Sequence, residues 1–391
     1  MPEPFDPQTL LAEAQTQTGL EDFGDPSFRE PMERLCAALR DEARLNEVGE
    51  ATWRQRLLDI LVTRLRVEDW IARHPEITEE VIGAPLVVCG LPRTGTTMLH
   101  RLVASDPRFD SAKWYEVRYP APPEGWEPGL PDPRIAEAER EVQMTLELAP
   151  ELMAIHPFDA TGADEEIMLL EQSFLSRTPE SYCHLPRFSA WLDAQDQLPG
   201  YRYLYRLLQL LQWQHRRQGR ARGRWVLKSP HHLGFLPELF RVFPDAKVVQ
   251  THRDPVESIP SICSLCFHLE TMGSDAPDPE ATGRHWSVGW ARFLERAMAY
   301  RDAEEAAGHP DRFLDVDYRE TVREPLATLR RIYDFLGIEL EESAEAAMRQ
   351  WLHDHARDKR ERHAYSLERF GLTEAGVARD FAAYRSRYLS V

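Results

Sequence analysis

The chain has 391 residues, of which 47 are basic and 65 acidic, so its net charge is −18 with neutral histidines. This balance excludes binding to nucleic acid or to an anionic membrane through the whole surface, although local arginines could still hold an anionic ligand. The composition, 42% hydrophobic and 29% charged, is that of a globular protein, long enough for one large α/β domain or two domains.

The first 80 residues predict a helical N-terminal extension. Leucines recur among charged residues at helical spacing: Leu35, Leu39, Leu57, Leu58, Leu61 and Leu65. Nothing in this part is typical of a phosphate site, so we expect residues 1–80 to form a packing layer or a homodimer surface. Residues 81–391 are then the α/β domain.

An apolar run at 86–89 leads into a glycine-bounded loop, Gly90 to Gly95, followed by two threonines. Such a run is typical of a parallel strand buried on both faces. Glycines permit close backbone approaches. The free N–H groups at the start of the next helix can bind a phosphate without a metal. The segment therefore predicts a phosphate-binding strand, loop and helix.

The cation of this loop is in an unusual place. The glycine spacing is that of a nucleotide-binding P-loop, but Thr96 stands where a triphosphatase has lysine. The loop carries Arg93 instead, whose planar guanidinium suits phosphate or sulfate oxygens. A P-loop kinase or triphosphatase would also need a magnesium-binding aspartate at the end of a strand, whereas the later strands end in Lys228 and Arg253.

Two more apolar runs end in polar residues, as open α/β sheets require at their binding edge. Residues 225–233 read Trp-Val-Leu-Lys-Ser-Pro-His-His-Leu, and residues 246–253 read Ala-Lys-Val-Val-Gln-Thr-His-Arg. Pro255 suits the start of a helix after the second run. Ser261 follows Arg253 by eight residues and falls on that helix.

The segment Pro92 to Thr97 resembles the 5′-phosphosulfate loop of sulfotransferases that use 3′-phosphoadenosine 5′-phosphosulfate (PAPS). In that family a strand ends in arginine and a serine follows eight residues later, and both hold the 3′-phosphate; Arg253 and Ser261 match. The resemblance implies a P-loop-like three-layer α/β fold with a central parallel sheet flanked by helices. The residues that it implies for the 5′-phosphosulfate are Arg93, Thr94, Gly95, Thr96 and Thr97.

The segment after Lys228 is similar to the Lys-Thr-His-Leu-Pro segment of cytosolic sulfotransferases, which carries the catalytic base. The spacing departs from the family, because Pro230 intervenes and the histidine comes third. The resemblance implies His231 as the base, with His232 as the alternative. Arg93 and Lys228 would stabilise charge on the transferred group.

Carboxylates offer another base, since some bacterial and carbohydrate sulfotransferases use glutamate. Glu116, beside Trp114 and Tyr115, could line an acceptor pocket. We expect residues 164–166, Asp-Glu-Glu, to open a helix and complement its dipole, with Glu166 as an alternative base.

Two further motifs favour structural interpretations. The spacing of Cys263 and Cys266 is compatible with a zinc or redox site, but the sequence has no second pair of cysteines. We therefore expect the two thiols to lie on a buried helix face. The basic run at 357–363 is expected to be a solvated face, with Lys359, Arg360 or Arg362 reaching the 3′-phosphate as the alternative. The segments at 365–372 and 19–24 resemble a bacterial branch of the family.

Together these features predict transfer of a sulfuryl group from PAPS to a hydroxyl of a small-molecule, lipid or carbohydrate acceptor, without a metal. The alternatives are a P-loop kinase and a non-catalytic nucleotide-binding or scaffold protein. The sparse cysteines and an N-terminus unlike a signal peptide predict a cytoplasmic location. With no apolar run of 18 residues, no membrane span is expected.

Overall fold

Five parallel strands form the centre of the molecule. The structure, a computed structural model, describes residues 3–148, 159–220, 223–355 and 366–389. The strands are β1 (Leu86–Gly90), β2 (Phe109–Asp110), β3 (Arg224–Lys228), β4 (Lys247–His252) and β5 (Phe313–Asp317). They pair in the order β2-β3-β1-β4-β5, and every pair is parallel.

Helices surround the sheet and precede it. In chain order they are α1 (Pro7–Thr18), α2 (Arg29–Asp41), α3 (Glu47–Arg73), α4 (Thr96–Ala104), α5 (Trp114–Arg118), α6 (Pro133–Leu148), α7 (Ile167–Glu171), α8 (Pro186–Leu192), α9 (Leu198–Arg217), α10 (Leu236–Val242), α11 (Pro255–Thr271), α12 (Pro279–Ala306), α13 (Tyr318–Arg323), α14 (Pro325–Leu336), α15 (Glu342–Asp354), α16 (Glu374–Asp380) and α17 (Ala382–Tyr388). None of them, within the described ranges, combines the length and the apolar character that crossing a bilayer requires.

Strand β1 is buried along its whole length and divides two cores. Val87 and Cys89 face a core built with α9, α11 and α12. Leu86 and Val88 face a second core built with α4 and α14. The alternation follows from the two-residue period of a strand. Helices therefore cover both faces of the sheet, which confirms the predicted three-layer α/β fold.

The N-terminal helices bury the leucines of the helical pattern in a core that they share with residues 174–192. Leu35, Leu57 and Leu61 are among its members, and Phe174 and Phe188 from the rest of the chain complete it. Val67, Trp70 and Ile71, near the end of α3, join the core beneath β1 instead. The extension is therefore packed against the α/β sheet region through α3.

The strand order places a crevice beside β1. The neighbours of β1, which are β3 and β4, lie on opposite sides of it, so chain connections leave in opposite directions at its carboxyl end. Ligands bind at such switch points in open α/β sheets. Gly90 is opposite Thr251, and Val88 is opposite Lys228. The three strands thus carry the predicted site residues to one edge.

Candidate active site

The loop after β1 requires its glycines for close packing. A Cβ on Gly90 would lie 2.1 Å from Thr251 Oγ1 and 2.7 Å from the Thr251 carbonyl oxygen. Gly95 has a φ of +84°, a conformation that side chains rarely adopt, and a Cβ there would lie 3.3 Å from the Tyr318 ring. The loop is therefore held between β4 and the start of α13.

Thr94 stabilises the loop from within. Its Oγ1 donates to the Leu91 carbonyl at 2.6 Å and lies 2.5 Å from Thr251 Oγ1. Its side chain is fully buried. The hydroxyl is thus engaged inside the protein, which leaves the backbone of Thr94 as the part of this residue that can serve an anion.

Arg93 connects the loop to the second phosphate motif. Its φ is +69°, uncommon for a residue with a side chain. Arg93 Nε donates to Ser261 Oγ at 3.2 Å, and Arg253 Nη1 donates to the Arg93 carbonyl at 2.8 Å. Residues that are 160 and 168 positions apart in the chain therefore meet at one point.

Arg253 lies at the end of β4 in a mixed environment. Its Nε donates to Glu257 Oε2 at 3.0 Å, and its guanidinium stacks on the Tyr318 ring, 4.4 Å from the ring centre. Glu257 also accepts from Arg319 at 2.8 Å. Arg253 and Arg319 thus both contact the Glu257 carboxylate, at the place where the family resemblance implies the 3′-phosphate.

Lys228 lies at the end of β3 and reaches the loop helix. Its Nζ donates to Thr97 Oγ1 at 3.2 Å and forms an ion pair with Glu165. Its side chain is 1% exposed. Because a buried ammonium needs a counter-charge, Glu165 stabilises Lys228 beside Thr97.

His232 is bonded at both ring nitrogens. Its Nε2 lies 2.6 Å from Glu166 Oε1, and its Nδ1 lies 2.7 Å from Tyr201 Oη. Glu166 Oε2 accepts from the Lys228 backbone N–H at 2.8 Å. Glu166 therefore fixes both His232 and the end of β3.

His231 is buried at 1% exposure, and neither ring nitrogen has a hydrogen-bond partner among the described residues. Its ring packs against Phe235, with 4.6 Å between ring centres. Burial, together with nearby His232 and Arg177, holds the pKa of His231 well below its usual value. The side chain is consequently a neutral imidazole in an aromatic environment, and its role as the base stays a prediction.

Glu116 belongs to a different network. His215 Nε2 lies 3.0 Å from Glu116 Oε1, and Arg220 Nη2 donates to the same oxygen at 2.7 Å. Burial alone would raise the pKa of Glu116, but His215 and Arg220 hold it well below its usual value. The His215 ring stacks on Trp225 near the amino end of β3. Glu116 therefore lies toward the opposite end of that strand from Lys228.

Cys263 and Cys266 lie buried on α11, as expected, and burial raises the pKa of the Cys263 thiol to about 12. Among the described residues, no group of three or more His, Cys, Asp or Glu side chains is placed to hold a metal ion. Lys359, Arg360 and Arg362 lie outside the described residues.

Comparison with known proteins identifies the class of enzyme. A sequence model of the sulfotransferase family matches residues 85–342, which span β1 to the start of α15. The chain belongs to the sulfotransferase family. The matched region contains the loop after β1, strands β3 and β4, and the predicted residues from Arg93 to Ser261, while the alternative ligands Lys359, Arg360 and Arg362 lie beyond it. The family resemblance drawn from the loop is thereby confirmed.

Solved structures resemble nearly the whole sulfotransferase, and a curated sequence resembles about three quarters of it. Sulfotransferase STF1 from Mycobacterium tuberculosis H37Rv has a TM-score of 0.83 at 33% identity, covering 96% of this chain and 98% of that one. Sulfotransferase STF9 from Mycobacterium avium has a TM-score of 0.87 at 28% identity, covering 98% and 97%. Omega-hydroxy-beta-dihydromenaquinone-9 sulfotransferase Stf3 from Mycobacterium bovis is 25% identical over 316 residues, 76% of this chain and 74% of its own.

Two interactions at this edge differ from, or are missing in, the sequence prediction. Tyr318 follows β5 and packs between Gly95 and Arg253. Glu165 pairs with Lys228 instead of capping a helix, since α7 begins two residues later at Ile167. Tyr318 directly follows β5, which reads Phe-Leu-Asp-Val-Asp, and an aromatic residue at the carboxyl end of a strand was the only local signal for it. No local pattern announces the pairing of Glu165, because its partner is 63 residues away.

Proposed function

We propose that this sulfotransferase takes PAPS as its sulfuryl donor and transfers the group to an acceptor hydroxyl. The observation that carries the proposal is the meeting of Arg93, Ser261 and Arg253 at the carboxyl edge of β1 and β4. A cofactor with phosphates at both its 5′ and 3′ positions needs two anion sites at a fixed separation. The loop and the Arg253–Ser261 pair supply them from separate elements.

In this proposal the 5′-phosphosulfate is held by backbone N–H groups of Thr94, Gly95, Thr96 and Thr97 at the start of α4. Arg93 and Lys228 offset the charge that develops on the transferred group and on the leaving phosphate. Removing one electrostatic donor of an active site typically costs about 10²–10³ in rate. No metal is required for that stabilisation.

The acceptor is proposed to be an apolar molecule bearing a hydroxyl. Aromatic side chains surround the segment after Lys228, where Phe235 contacts His231 and Phe293 at ring-centre distances of 4.6 and 5.3 Å. The relative Stf3 is named for a hydroxylated menaquinone, which fits an apolar alcohol. Incubation with labelled PAPS and a fractionated lipid extract tests this: label in polar fractions alone contradicts it.

The donor is tested by calorimetry with 3′-phosphoadenosine 5′-phosphate (PAP) and with ATP. We expect PAP to bind tightly in the presence of EDTA, because cationic side chains and helix N–H groups provide the site. ATP with magnesium should bind weakly. Tight ATP binding that depends on magnesium would contradict PAPS as the donor and favour the P-loop kinase alternative. Binding of PAP without any turnover of PAPS would favour a non-catalytic protein.

We also propose a cytoplasmic location and a homodimeric state. All five cysteines are buried free thiols, which fits the reducing cytoplasm, and cell fractionation tests that location. A homodimer through the N-terminal extension is tested by light scattering, where a monomer at micromolar concentration contradicts it.

A further inference from the structure

Helix α17 packs against the end of β4, directly before Arg253. Tyr384 and Tyr388 lie one turn apart on this helix, and both of their rings contact the His252 ring, with 5.6 and 4.2 Å between ring centres. His252 is the last residue of β4 and is 2% exposed. The helix therefore covers the strand at the point where Arg253 leaves it.

The contacts of His252 fix its tautomer. Arg301 donates to both oxygens of Asp315 at 2.7 and 2.8 Å, and Asp315 Oδ1 lies 2.7 Å from His252 Nε2. Against the effect of burial, hydrogen bonds from His252 and Arg301 lower the pKa of Asp315, so this carboxylate is ionised and can only accept. Nε2 therefore carries a proton. Burial lowers the pKa of His252, so the ring is neutral and its Nδ1 accepts from Tyr384 Oη at 3.0 Å.

The Tyr384 hydroxyl has a second contact, with the residue that follows His252. Its oxygen accepts from the backbone N–H of Arg253 while its proton is donated to His252 Nδ1. Tyr384 is 2% exposed, so water does not compete freely for these bonds. The backbone from which the Arg253 guanidinium projects is thus held by one hydroxyl of α17.

Arg385, the next residue of α17, contacts the next residue after Arg253. Its Nη2 donates to Asp254 Oδ2 at 2.9 Å. Asp254 is the N-cap of α11, where its Oδ1 accepts from the Val256 N–H at 3.1 Å. Ser261 lies on that helix. Helix α17 therefore supports both members of the Arg253–Ser261 pair, one through its backbone and the other through the cap of its helix.

We propose that Tyr384 is a positioning residue for the 3′-phosphate of the cofactor; this inference rests on the proposed function. Tyr384 holds the Arg253 backbone so that the guanidinium meets that phosphate, and Arg385 supports the same site through Asp254. If α17 served only the stability of the fold, nucleotides with and without a 3′-phosphate would be affected alike. Positioning of Arg253 concerns only nucleotides that have this phosphate.

The test is Tyr384→Phe, which keeps the ring and removes the hydroxyl. Tyr388→Phe is the matched control, because Tyr388 stacks on the same imidazole and its hydroxyl has no hydrogen-bond partner among the described residues. Calorimetry measures the affinities for PAP and for adenosine 5′-phosphosulfate. We expect Tyr384→Phe to weaken PAP binding about five- to tenfold, as for one lost hydrogen bond. Its affinity for adenosine 5′-phosphosulfate, and both affinities of Tyr388→Phe, should stay within about twofold of wild type.

A double-mutant cycle with Arg253→Ala separates positioning from a structural role. If Tyr384 acts through the Arg253 guanidinium, Tyr384→Phe should change PAP affinity less than about twofold once that guanidinium is gone. Losses that add in the double variant would show that Tyr384 acts on another part of the site, and would overturn the assignment. Folding of each variant is checked by its thermal unfolding midpoint.

Wild-type PAP affinity in Tyr384→Phe would also overturn the proposal, as would equal losses for both nucleotides. If Tyr384→Phe does not fold, Arg385→Gln decides, with Arg387→Gln as its control because Arg387 pairs with Asp302 instead. Arg385→Gln should weaken PAP binding about threefold and leave adenosine 5′-phosphosulfate unchanged, and an unchanged PAP affinity there contradicts the inference. If wild-type protein binds no PAP at all, the proposed function itself fails.

Discussion

Replacing Arg253 with alanine is the sharpest test of the nucleotide site. The arginine side chain is 15% exposed, stacks on Tyr318 and donates to the Arg93 carbonyl. Its removal takes away a largely desolvated charge from the place where we expect the 3′-phosphate. It also leaves one loop carbonyl without its donor, so two effects must be separated.

The two effects have different sizes. Losing the hydrogen bond to Arg93 costs about 1 kcal/mol for any ligand of the loop. Losing a charge-assisted contact to phosphate costs roughly 2–4 kcal/mol, which corresponds to a roughly 30- to 700-fold weaker affinity. Only ligands with a 3′-phosphate experience the second effect.

Calorimetry with PAP and with adenosine 5′-phosphosulfate therefore separates the lost contact to the 3′-phosphate from the lost hydrogen bond to the loop. PAP should lose roughly 30-fold or more in affinity beyond whatever adenosine 5′-phosphosulfate loses. Arg323→Ala, on α13 and exposed, is the matched control and should change neither ligand. Equal losses for both ligands would refute the reasoning and make Arg253 a structural support of the loop.

Two other predictions concern the loop and stability. Gly90→Ala should abolish tight PAP binding and lower the unfolding midpoint, because the new Cβ would lie 2.1 Å from Thr251 Oγ1. Gly83→Ala is its control, because a Cβ there would have no atom within 4 Å. Calorimetry and thermal unfolding measure both variants. Burial raises the pKa of Glu270 from 4.5 to about 7. Between these two pH values the folded protein retains a proton that the unfolded chain releases. The contribution of Glu270 to the free energy of unfolding therefore falls as the pH rises from about 4.5 to 7. Glu270→Gln should flatten that part of the dependence in urea unfolding at pH 5 and pH 8, and an unchanged slope would contradict the assignment.

The sequence predicts the structural features that depend on residues close together in the chain. The apolar run at 86–89 predicted a strand buried on both faces, and the two cores that meet at β1 explain why no polar residue interrupts it. The eight-residue step from Arg253 to Ser261 placed the serine on a helix, and α11 carries it there. Chain-local geometry fixes both relations, so one sequence was enough to predict them.

Contacts between distant segments were beyond such reasoning. Residues 164–166 read as helix-capping charge, yet Glu165 and Glu166 pair with Lys228 and His232, which follow more than 60 positions later. The sequence leaves Glu116 as a candidate for the acceptor pocket, and it shows nothing of the contacts that Glu116 makes with His215 and Arg220. Which carboxylate meets which cation depends on how elements stack, and no spacing in the sequence encodes that.

The order of the strands has a consequence for synthesis of the chain. Thr94 meets Thr251 across 157 positions, and Arg93 meets Ser261 across 168. At roughly 5–20 residues per second, translation of that interval takes about 10–30 s. For most of that interval, until β3 (Arg224–Lys228) is made, β1 has neither neighbouring strand available, and its apolar edges are free to pair wrongly. A nascent-chain chaperone that shields this strand should therefore raise the yield of active enzyme, most of all when translation is slow.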